Sequence, residues 1–151
     1  MPDSRIVKIH KQIKTLIAVN YGSGFSGVDM TGRVIRGSTV EPPYTPFACV
    51  SFEEALESYG PTLGRFQSTA VFSVYAYIGG GDVDGRNDNA LDLSSDIIKA
   101  LTNNRQLGLT GGECDDVLCS FTAIDGEKFG LSGIGVGYVK VEVKFQTSDG
   151  S

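Results

Sequence analysis

The sequence predicts an α+β fold, a mostly antiparallel β-sheet with two main α-helices packed on one side. Three observations carry this. Segments 4–18 and 88–104 repeat apolar residues at steps of three and four, the period of a helix face. Segments 66–78 and 133–145 alternate with the period of a strand. The order is helix, strands, helix, strands, and the last two strands are close enough in sequence to form an antiparallel hairpin.

The first helix reads "RIVKIHKQIKTLIA". Ser4 or Asp3 can cap it, because a short oxygen side chain accepts from the unpaired amides of the first turn. Ile6, Ile9, Ile13, Leu16 and Ile17 make one apolar stripe, while Arg5, Lys8, Lys11 and Lys14 lie on the other side. That basic face reads as solvated, with contact to an acidic partner surface as the alternative. The His10 ring is expected to point to solvent, since Ile9 and Ile13 own the stripe.

Residues 19–32 form a glycine- and serine-rich connection without either phosphate-cradling glycine pattern. Two short extended segments follow. They are interrupted by "EPPYTP", whose three prolines lack the amide donor that a central strand needs. "PFACVSF" reads as a buried strand entering behind a proline. Residues 53–65 fit either a short helical turn or an irregular loop.

In the strand 66–78, Phe66, Ser68, Ala70, Phe72, Val74, Ala76 and Ile78 share one face, and Tyr75 and Tyr77 belong to the other. β-branched and aromatic residues occupy both faces, so neither is fully wet. "GGGDVDGRNDN", residues 79–89, reads as a flexible polar connection to a helix capped near Asp88. Ala90, Leu93, Ile97 and Leu101 are the stripe of that helix. Residues 117–124 make a strand. In the last strand Val139, Val141, Val143 and Phe145 face the core, opposite Lys140, Glu142 and Lys144. No repeat or composition break divides the chain. It reads as one domain, 1–151, with 1–3 and 146–151 flexible.

Of the 151 residues, 40% are hydrophobic and 21% charged, enough apolar material for a core. The net charge of −5 argues against sequence-independent nucleic-acid binding, which calls for a basic surplus. No apolar run is long enough to span a membrane, and the N-terminus lacks the apolar middle of a signal peptide. Cys49, Cys114 and Cys119 are an odd set that cannot close a disulfide framework. They read as buried or incidental thiols, with a cytosolic origin as the default.

The chemical motifs are missing. A calcium loop started at Asp82 would put Arg86 at its third ligand place, Asn87 where glycine is needed and Leu93 where glutamate belongs. His10 is the single histidine, too little for a Ser/His or Cys/His nucleophile or for a zinc site. Glu53–Glu54 and Asp115–Asp116 are sequence neighbours that do not face each other on regular elements, so they read as solvated charges. No catalytic, cofactor or metal residue is expected. A small ligand- or calcium-binding module on the same layer is the alternative from another class.

Several segments together resemble the small tail-terminator and neck (head–tail joining) proteins of long-tailed bacteriophages. These are "RIVKIHKQIKTLIA" with its glycine-rich follower, "PFACVSF", "AVFSVYAYI", "NALDLSSDIIKALTNNRQLGL" and "GIGVGYVKVEVKF". The resemblance covers about residues 4–146 and is one of pattern; segment 53–65 has no counterpart in it.

The resemblance implies a structural virion protein, assembled in the host cytoplasm, that forms a homo-oligomeric ring, commonly a hexamer. Such a ring caps the tail tube and docks to the head connector, while DNA passes through its lumen without specific binding. A neighbouring head-completion or connector protein is the alternative within the same particle. Strand 66–78 and the loops 20–32 and 79–89 are the expected contact regions. Asp82, Asp84, Arg86, Tyr75 and Tyr77 are the residues expected at subunit or lumen contacts.

Overall fold

A computed structural model of the chain describes residues 4–19, 30–37, 42–59, 65–79, 82–103, 106–109, 114, 116–125 and 133–148. The elements in order are α1 (Arg5–Ala18), β1 (Val34–Arg36), β2 (Phe47–Tyr59), β3 (Arg65–Gly79), α2 (Val83–Thr102), β4 (Asp116–Asp125) and β5 (Ile134–Ser148). The strands form one sheet in the order β1-β2-β3-β5-β4. Among the described strands the β1–β2 pair is parallel and the other three pairs are antiparallel. This is the expected α+β architecture.

The helical stripes and the strand alternation meet in one core. Ile9, Ile13 and Ile17 of α1 are fully buried, as are Ala90, Leu93 and Leu101 of α2. They pack on the sheet face made by Ala48, Val50, Phe72, Val74, Val139 and Val141. α1 starts where Ser4 Oγ accepts from the Val7 amide at 3.3 Å. His10 does not point to solvent. Its Nε2–H donates to the Val50 carbonyl at 2.7 Å, and its ring lies 5.2 Å from that of Phe72. Gln12 donates to the Leu107 carbonyl at 2.8 Å, tying the chain beyond α2 back to α1.

Three other expectations are corrected. The stretch 79–89 is not a flexible connection, because α2 begins at Val83. Asp82 caps the helix by accepting from the Gly85 amide at 2.7 Å, and Asp84 sits in the first turn, at the positive end of the helix dipole. Residues 53–59 are neither turn nor irregular loop. β2 runs to Tyr59, paired with β3 on either side of a bulge between Phe52 and Glu54; residues 60–64 lie outside the described residues. β5 also takes in 146–148, where a frayed tail was expected, because Gln146, Thr147 and Ser148 pair with Gln67, Phe66 and Arg65.

α2 sits unusually close to β5. Gly135 and Gly137 face it, and a β-carbon on Gly135 would overlap the Arg86 carbonyl, while one on Gly137 would overlap the Ser94 hydroxyl. Glycine is needed at these two positions for the approach of the helix, not for a turn.

Candidate functional site

The sheet separates the residues expected to act together. Asp82 and Asp84 are exposed at the start of α2. Arg86, two residues further on, is buried, at 7% exposure. It belongs to the helix–sheet contact and does not project as a surface charge. Tyr75 and Tyr77 lie on the other face of β3, away from the helices. Of the two proposed loops, residues 20–29 and 80–81 lie outside the described residues.

The helix-free face has two zones. At one end Phe47, Cys49, Tyr77 and Val136 form a second buried cluster, flanked by Tyr75 and Ile134. Segment 42–46 runs into it, with the Tyr44 ring edge-on to Phe47 at 5.4 Å and the Arg33 guanidinium 5.1 Å from the Tyr44 ring centre. Arg33 also donates to the Pro46 carbonyl at 3.3 Å, and the Tyr44 hydroxyl to that of Gly32 at 3.0 Å. Burial, then Cys49, pushes the Tyr77 hydroxyl up to about 12. Burial, then the neighbouring Tyr138, raises that of Tyr75 as well. Both phenols therefore stay neutral at physiological pH.

Beyond this cluster the face turns polar. The Tyr75 and Tyr138 rings lie 5.2 Å apart, and the Ser73 and Tyr138 hydroxyls share a hydrogen bond of 3.1 Å. Lys140 pairs with Glu142 at 3.1 Å, which raises the ammonium's pKa. The alternation read from β5 is thus realised as a wet half-face.

Two features missed by sequence reasoning stand out at the margins of the sheet. Among the described residues seven large hydrophobic side chains are exposed, and four of them sit on two strands: Phe52 (43%) and Leu56 (58%) on β2, Leu118 (44%) and Phe121 (41%) on β4. The available signal was the apolar content of "SFEEAL" and "VLCSF", which is more than a solvated loop or a protected edge needs.

Chemically, the face offers apolar and aromatic area, neutral hydroxyls and the Lys140–Glu142 ion pair. Among the described residues no group of three or more His, Cys, Asp or Glu side chains is placed to hold a metal ion. None of the three cysteines forms a disulfide.

No protein-family model matches the chain. No curated protein matches it either. Among solved structures, a chain from the virion of the native gene transfer agent (GTA) particle superposes with a TM-score of 0.62, over 95% of this chain and 100% of that one, at 12% identity. The two chains share a fold.

Proposed function

We propose that this chain is a non-enzymatic structural protein of a phage-like virion. It forms a homo-oligomeric ring, a hexamer in the simplest form, at the head-proximal end of the tail. There it caps the tail tube and joins it to the head connector. The supporting observation is the end-to-end likeness to a chain of a gene transfer agent virion, which leaves almost nothing of either chain unmatched.

The surface chemistry agrees with such a role. The net charge of −5 and the exposed Asp82 and Asp84 suit a lumen that lets DNA pass without holding its phosphates. The neutral tyrosines and apolar strand margins suit protein contacts.

Immunogold labelling of purified particles tests the location. Label at the head–tail junction is the expected result. Label on the capsid shell or at the distal tail tip, or no protein in the particle, contradicts it.

A further inference from the structure

The sheet ends in two edges that no strand covers among the described residues. Among the described residues β1 pairs with Ala48, Cys49 and Val50 and Gly37 reaches Val50 and Ser51, so no described strand pairs with the outer side of β2 from Phe52 onward. β4 is the last strand on the opposite side. A bare edge presents amide and carbonyl groups that a further strand can satisfy. These two strands also carry four of the seven large hydrophobics that are exposed among the described residues.

The spacing of those four residues matches. On β2 the bulge absorbs one residue, so Phe52 and Leu56 pair with Phe72 and Thr69, three ladder positions apart. On β4, Phe121 and Leu118 pair with Val139 and Glu142, again three positions apart. Phe52 and Phe121 are both on the helix side of the sheet, Leu56 and Leu118 both on the helix-free side. Without the bulge the two spacings would differ, and one apolar pair would fall on opposite faces.

Strand direction agrees too. β2 is antiparallel to β3, β3 to β5 and β5 to β4, so β4 runs opposite to β2. A second copy set beside the first, with its helices on the same side, therefore offers its β2 antiparallel to the first copy's β4.

We propose that Phe52–Ser58 of one copy pairs antiparallel with Asp116–Phe121 of the next, placing Phe52 opposite Phe121 and Leu56 opposite Leu118. β1 confines the ladder to this half of β2. The register sets Glu54 opposite Ser120, whose neighbour on β5 is Lys140. Pairing β2 with β2 across a two-fold axis would instead bring Glu53 and Glu54 of both copies together. The contact is head-to-tail, the kind that closes into a ring where its rotation allows and otherwise runs on as a filament. This inference rests on the homo-oligomer reading above and specifies the interface that reading leaves open.

Light scattering during gel filtration tests it with Leu56→Lys and Leu118→Lys, both at exposed positions. The wild type is expected to run as an oligomer larger than a dimer, and each variant alone as a monomer. An equimolar mixture of the variants should give a dimer and nothing larger, because one intact β2 edge meets one intact β4 edge. That recovery also shows that both variants are folded. If both keep the wild-type mass, the edge pairing is wrong and the ring reading survives. If only Leu56→Lys falls apart, the contact is a symmetric β2 pair. A wild type that stays monomeric at roughly millimolar concentration, too weak for a specific interface, overturns the pairing and the ring together.

Discussion

Gly137 of β5 lies directly under Ser94 of α2, so close that a β-carbon at 137 would overlap the Ser94 hydroxyl. The same hydroxyl is fully buried and has no hydrogen-bond partner among the described residues. The helix has therefore been drawn onto the sheet at the expense of a satisfied hydroxyl.

Gly137→Ala should lower stability by about 1–3 kcal/mol, the usual range for overpacking a filled core. Ser94→Ala alone should leave stability unchanged or raise it, because it removes an unpaired buried polar atom. Combined with Gly137→Ala it should recover part of the loss, a non-additivity expected of touching residues. At Gly135 the obstacle is the Arg86 backbone carbonyl, so no side-chain change relieves Gly135→Ala. Urea unfolding midpoints of the five proteins check the pattern.

Asp82→Ala should cost about 1 kcal/mol by leaving the Gly85 amide without its cap, and Asp82→Ser should restore most of it. Thermal melts read the difference. No change on Asp82→Ala would mean that α2 does not start where its cap places it.

His10 gives the fold a mild acid sensitivity. Burial is the main cause lowering its pKa below 6.5; the positive Arg36 adds to this, while the hydrogen bond to Val50 opposes it. The unfolded chain therefore takes up the proton first. Stability should be full above about pH 6.5 and fall as the pH drops through that value toward the lowered folded pKa. His10→Gln should remove the slope in this window. Denaturation midpoints between about pH 5 and 7.5 test this, since His is the side chain that ordinarily titrates there.

Much of the fold was legible because burial imposes a period. The stripe Ile9, Ile13, Ile17 and the alternation Val139, Val141, Val143 name their partners' side without further information. The misreadings share one cause, tertiary context overriding local preference. "EEALES" prefers a helix or turn, yet continues as strand because its ladder with β3 holds it extended. "DVDGRND" contains turn formers, yet is helical because Asp82 caps it and the Arg86 backbone rests on Gly135.

The candidate surface was less legible still. A charged residue such as Arg86 gives no sign in sequence that it is buried. The matched spacing of Phe52–Leu56 and Leu118–Phe121 exists only once the bulge is known. The glycines at 135 and 137, two apart in a strand, were the one overlooked signal that another element comes close.

Negative-stain electron microscopy of the purified protein tests the proposed ring most directly. The expected images show closed rings of uniform size with a central, stain-filled hole. Monodisperse single particles without a hole, at every concentration at which the protein stays soluble, would contradict it.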